Sequence, residues 1–298
     1  MVDREEGLCI WADHERCWYV ELLPCFEDNN LGIYNCAGFS GAILPFVFQA
    51  LLERYGHKTT LKATAIAMLI LTGPLIPFCK ARLPPSEQST LANMDWTFRK
   101  DLIFWCYTLS TIIQGFGLFF PAIFMASYAT DIGLSNTIGA LLLSLLAIAQ
   151  FAGQCAFGTL SDKSALSVTI LALLCSVMAA LASFLLWGFG HSLPLLIVFN
   201  ILFGFFGYGF SAMRTAMAKK VTADPNTIMA VQAILNSMLG WGNVLVGPLS
   251  AQLIRGTAQR GSYGISRYED VVYFSGSCML GSAAILLVPY LRKLKPGV

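Results

Sequence analysis

Hydrophobic positions run along this chain in long blocks broken by short polar interruptions. The windows 102–130, 132–161 and 164–213 contain no Asp, Glu, Lys or Arg. A soluble domain would have to bury these blocks with no charged face turned to water. A bilayer core of about 30 Å needs only about 20 apolar residues per helix, and inside it each helix satisfies its own backbone hydrogen bonds. The blocks predict transmembrane helices near 31–52, 61–79, 102–124, 134–157, 166–188, 193–213, 228–254 and 271–291. The expected fold class is all-α: a polytopic membrane helix bundle of about eight transmembrane helices.

The polar interruptions divide the chain. Residues 1–30 carry mixed charge and read as a cytosolic N-terminal segment. Two spans occupy 31–79, joined by the charged turn Glu53-Arg-Tyr-Gly-His-Lys58. A polar central loop covers 80–101, and a six-span unit follows over 102–298. Lys and Arg set the orientation. With the N-terminus cytosolic, thirteen of them fall inside and six outside, which places both termini in the cytosol.

Composition sharpens this reading. Charged residues are 12% of the chain and hydrophobic residues 56%, with 26 Gly and 21 Phe, as close helix packing in lipid favours. The net charge of +2 and the lack of a basic cluster give no sign of a nucleic-acid partner. Of the nine cysteines, six lie in or beside apolar blocks and act as small apolar residues. Cys9, Cys17 and Cys25 recur every eight residues, whereas a metal site needs closer pairs and histidines. The histidines are His14, His57 and His191, all outside the spans, and no Ser/His/Asp or metal-ligand cluster is visible. The chain therefore reads as a non-enzyme without a cofactor.

Three features carry candidate chemistry. Gly158-Thr-Leu-Ser-Asp162-Lys163 sits at the cytosolic end of one span, just before the next. Glycine there permits close helix approach, and the aspartate can accept from helix N-terminal N–H groups or pair with a base. The motif reads either as a hinge latch or as a polar turn. The second feature is a set of amides on helix faces. Gln232, Asn236 and Asn243 share one face of the span 228–254, Asn200 lies with Gly204 and Gly207, Tyr107 with Thr111 and Gln114, and Gln150 lies one turn from Gln154. Uncharged amides in lipid need partners, so they either bond helix to helix or line a substrate path. The third feature is glycine spacing, as in Gly115-x-Gly117 and Gly240-x-Gly242, which allows close packing and local bending.

These residues carry a family resemblance. Gly158-x-x-x-Asp162-Lys163 resembles the loop motif of the major facilitator superfamily in its second-half copy. Arg54-Tyr-Gly-His-Lys-Thr-Thr-Leu-Lys62, Leu-Thr-Gly-Pro-Leu-Ile-Pro77 and Lys80-Ala-Arg-Leu-Pro84 are similar to the fifth-to-sixth span region of fungal monocarboxylate-porter-like members. Gly240-Trp-Gly-Asn-Val-Leu-Val-Gly-Pro248 is similar to their eleventh span. The resemblance covers about residues 31–292 and implies twelve helices in two six-helix halves. It implies secondary active transport of a small organic molecule, a monocarboxylate or a secondary metabolite, efflux included, across the plasma membrane.

Two departures qualify the implication. After Lys163 the family's further glycine and basic residues are replaced by Ser-Ala-Leu-Ser167. Two spans precede the central loop where the family has six, so a partial major-facilitator fold is expected, with another chain as a candidate source of the missing helices. The alternative is a truncated, non-transporting membrane protein or assembly partner. No Asp, Glu, Lys, Arg or His sits mid-span, and the stretch 134–157 lacks the acid–base pair of animal monocarboxylate relatives. A coupling ion is therefore not legible in the chain.

Overall fold

A computed structural model describes residues 31–74, 96–162, 167–254 and 265–294. The segment 1–30 and most of the central loop lie outside them. All regular elements among the described residues are helices. They are α1 (Leu31–Thr72), α2 (Leu102–Leu118), α3 (Phe120–Asp131), α4 (Asn136–Asp162), α5 (Val168–Leu181), α6 (Leu193–Ala212), α7 (Arg214–Val221), α8 (Pro225–Leu253) and α9 (Glu269–Leu294). A short 3-10 turn, Trp96–Lys100, leads into α2, and α5 runs on into a π-helical turn, Ala182–Trp187.

Among the described residues, six helices are long and apolar enough to cross a membrane: Leu102–Asp131, Asn136–Ser161, Val168–Trp187, Leu193–Val221, Thr227–Leu253 and Glu269–Arg292. These are the last six of the expected spans. Two run further than expected. α3 prolongs α2 because Pro121 falls in the first helical turn, where its missing N–H costs nothing. α7 prolongs α6 past Met213 into a basic turn with Lys219 and Lys220. Upstream, the two expected spans meet in α1. The charged turn between them stays helical apart from Gly56, whose φ of 73° suits glycine alone.

Lipid is as apolar as leucine, so helices associate in it through close packing and hydrogen bonds. Glycine provides the approach. A Cβ on Gly153 of α4 would lie 2.0 Å from the Phe205 carbonyl oxygen of α6, and one on Gly204 would lie 2.7 Å from that of Leu146. α1 covers another flank of α4: a Cβ on Gly41 would lie 2.9 Å from Ala147 Cβ, and Ser144 Oγ donates to the Ala42 carbonyl at 2.8 Å. α2 packs between α8 and α9, and α5 between α9 and α6. Up-and-down alternation gathers Asp101, Ser167, Lys220 and Arg292 at one end. Asp131 and Tyr268 meet at the other.

Candidate functional site

α8 divides into three sectors at about 100° per residue. Val231, Leu235, Gly242 and Val246 are buried against neighbouring helices. About 100° from them run Gln232, Asn236 and Asn243. About 100° further round stands Val244, with Trp241 beyond it, both exposed. The amides thus occupy a shoulder between the packed face and an apolar outer face. Gln232 is half-buried, and its Nε2 donates to Thr215 Oγ1 of α7 at 2.9 Å. Asn236 and Asn243 are exposed.

On α4 the residues facing α6 (Leu146, Gly153) and those facing α1 (Ser144, Ala147) lie on different sides. Gln150 and Gln154 fall between the two stripes by helical spacing and are half-buried. They stand at the seam where α1 and α6 both meet α4.

The other three predicted path residues are wholly buried within the six-helix unit. Gln114 joins four helices. Its Nε2 donates to the Gly207 carbonyl of α6 at 3.3 Å, and its Oε1 accepts from Ser176 of α5 at 3.3 Å and Ser282 of α9 at 3.2 Å. Ser282 in turn pairs with Ser110 at 2.7 Å. Tyr107 shares a 2.7 Å hydrogen bond with Thr169 of α5. Asn200 Nδ2 donates to the Leu196 carbonyl one turn back at 2.7 Å, while its buried Oδ1 has no partner. These three side chains expose no surface and act as interhelical or local hydrogen-bonding groups.

The hinge motif is placed in part. Gly158 lies in the last turns of α4, where Ser161 Oγ donates to its carbonyl at 2.7 Å. A Cβ on Gly158 would come no nearer than 3.9 Å to Ala212, so this glycine leaves room between α4 and α6. Asp162 closes α4, and Lys163 lies outside the described residues.

Two polar constellations escaped the sequence reading. At one end of the bundle, Lys220 Nζ donates to Thr169 Oγ1 at 2.6 Å and to Ser167 Oγ at 3.1 Å. Both hydroxyls border a pocket of about 520 Å³ with Lys220, Arg292 and Asp101. At the other end, Tyr268 donates to Asp131 Oδ2 at 2.9 Å, and Arg267 lies 3.6 Å from the same oxygen. Tyr128, wholly buried beside Tyr268 and Trp187, donates to the Gly190 carbonyl at 3.3 Å. In the sequence the charged members, Asp101, Asp131, Lys220, Arg267 and Arg292, look like ordinary charges between spans. A clue was present for Asp101, Ser167 and Arg292, each one residue from an expected span boundary, where alternating helices bring boundaries together.

Residues 107–296, more than half of the chain, match the family model described as Major Facilitator Superfamily. The chain is 27% identical to an MFS-type transporter of Gibberella moniliformis, over 85% of this chain and 58% of that protein. It is 24% identical to the MFS transporter asaE of Aspergillus flavus, over 83% of this chain and 54% of that protein. It is 26% identical to Monocarboxylate transporter 3 of Rattus norvegicus, over 84% of this chain and 51% of that protein. The chain thus spans about half the length of the curated relatives it matches.

Proposed function

The chain belongs to the major facilitator superfamily, and from that premise we propose that it serves as a secondary transporter of small organic molecules. The observation that carries the reading is the amide shoulder of α8. Asn236 and Asn243 are exposed beside an apolar outer face. An amide turned to hydrocarbon loses its hydrogen-bond partners at about 4–8 kcal/mol on water-to-alkane scales. A water-filled path supplies those partners, and the apolar face of Trp241 and Val244 suits lipid or a covering helix.

In this reading Gln232, Asn236 and Asn243 line one wall of the path, and Gln150 and Gln154 line another. Tyr107, Gln114 and Asn200 hold the frame behind them. Gly158, Asp162 and Lys163 form a hinge at the cytosolic end, and both termini are cytosolic in the plasma membrane. Amides without a mid-span charge suit a weakly charged organic molecule, a monocarboxylate or a secondary metabolite. The relative named a monocarboxylate transporter supports that substrate class, and the fungal MFS-type relatives support the general transport role.

The test is flux through proteoliposomes. The chain is reconstituted alone and with a separately expressed four-span segment from the first half of the Gibberella relative. Carboxylates and neutral organic acids are then followed across the membrane. Saturable flux in either preparation, reduced by Asn236→Ala, is the expected outcome. Intact, correctly folded protein without flux in both preparations assigns the chain instead to a non-transporting role as an assembly partner.

A further inference from the structure

The pocket at the α2 and α5 starts lies outside the proposed path, and its lining is chemically specific. It holds Lys220 from the last turn of α7 and Arg292 from the last turns of α9. Ser167 and Thr169 contribute hydroxyls, and Asp101 stands just before α2. Leu102, Ile103 and Pro289 add an apolar wall.

Lys220 is positioned, not loose: its ammonium rests on Thr169 and Ser167, and Thr169 is tied in turn to Tyr107. Three helices thus fix one cation, and α9 brings a second. The volume of about 520 Å³ exceeds what a single inorganic ion fills. The residues stand at the ends of membrane-crossing helices, the depth at which headgroups meet water.

We infer that this pocket binds a zwitterionic phospholipid headgroup that carries a primary ammonium, of the phosphoethanolamine class. The phosphodiester sits against Lys220 and Arg292, which supply charge-assisted donors. The ammonium sits against the Asp101 carboxylate. The glycerol end of the lipid lies along Leu102, Ile103 and Pro289. Each charged group has a counterpart: the two cations flank the one phosphodiester, and the one carboxylate meets the one ammonium. A free phosphate dianion would leave the Asp101 carboxylate without a cationic partner from the ligand and the apolar wall unused.

The experiment uses the whole chain, purified in detergent. Thermal unfolding and native mass spectrometry are run with phosphatidylethanolamine, phosphatidylcholine, phosphatidylglycerol and inorganic phosphate. Ligand that binds only the folded state raises the unfolding midpoint by mass action. The expected result is a larger rise, and a retained one-lipid mass increment, with phosphatidylethanolamine than with the other three. Lys220→Met and Arg292→Gln each abolish that difference. Asp101→Asn keeps lipid retention but removes the preference for the ammonium headgroup. If a charge variant does not fold, retention of one lipid by the wild-type chain at graded detergent still decides the point.

Equal effects of all three lipids overturn the inference, and so does equal protection by inorganic phosphate. A preference for phosphatidylethanolamine that survives in folded Lys220→Met and Arg292→Gln overturns it too. None of these outcomes depends on transport activity.

Discussion

Gly242 of α8 lies against Gly115 of α2 so closely that a Cβ on Gly242 would come within 2.5 Å of the Gly115 carbonyl carbon. The contact brings two backbones together and fixes the rotation of α8. That rotation is what leaves Asn236 and Asn243 on the open shoulder. Gly242→Val should therefore separate the helices, at about 1–3 kcal/mol for an overpacked site. The expected readout is a lower unfolding midpoint and loss of the monodisperse peak on size exclusion. Gly247, with nothing within 4 Å of its would-be Cβ, is the control. Gly247→Ala should leave stability unchanged or slightly raised, since alanine favours the helix.

The Gln114 network should behave as a staple of the frame. Gln114→Leu removes bonds to Gly207, Ser176 and Ser282. Hydrogen bonds between membrane helices average about 0.6 kcal/mol and reach about 1.7 kcal/mol, so a loss of about 1–2 kcal/mol is expected from three. Ser282→Ala should cost less, because Ser176 still reaches Gln114. A double-mutant cycle by thermal unfolding should show coupling between the two positions. Additive losses would assign them to separate interactions.

The architecture was largely legible in the chain because the bilayer forces it. Charge-free blocks near 102–298 had one physical solution, and the six helices follow them. The faces were legible too: the 3.6 period places Gln232, Asn236 and Asn243 together whatever surrounds α8. What periodicity cannot supply is which neighbour covers a face. Tyr107 and Gln114 form as convincing a polar stripe in the sequence as Asn236 and Asn243 do. In the structure the first stripe is wholly packed against α5, α6 and α9, while the second is open. The end clusters were hidden for a different reason. Asp131 and Arg267 are 136 positions apart, and only the alternation of helices places them within 3.6 Å.

The cluster at the far end predicts a pH response. Burial, then the hydrogen bond and charge of Asp131, push the Tyr268 phenol up to about 12 from its ordinary 10.0. A raised pKa means the neutral phenol is favoured when folded, so its contribution is fully present below pH 10 and is lost as pH rises through 12. Unfolding midpoints measured from pH 9 to 12 should fall for the wild-type chain. Tyr268→Phe should be less stable at neutral pH, having lost the bond to Asp131, and should show a flatter fall. Parallel curves would remove Tyr268 from the response.

The proposed orientation is open to direct measurement. Cysteines placed at Thr59 and Ser262 should react with an impermeant thiol reagent in intact cells, and one at Ser86 should react only after permeabilisation. The background is the chain with its native cysteines replaced by serine or alanine. Labelling at Ser86 in intact cells would invert the assignment and place the Lys220–Arg292 end outside.

The amide shoulder gives the sharpest test of the path, because α8 carries its own controls. Leu235 is wholly buried, Asn236 is exposed next to it, and Val244 is exposed on the apolar face. Cysteines at the three positions sample the packed face, the proposed path and the outer face on a single helix. A small charged thiol reagent reacts where water reaches the thiolate. Asn236→Cys should react readily, Leu235→Cys not at all, and Val244→Cys slowly in a bilayer although it is geometrically exposed. A transported substrate, once identified by flux, should protect Asn236→Cys and leave Val244→Cys unchanged. Asn236→Ala should alter apparent substrate affinity while leaving the unfolding midpoint in place, unlike Gln114→Leu. Equal reactivity at 236 and 244 in the bilayer would mean that water does not distinguish the two faces, and the amides would then belong to a covering helix instead of a path.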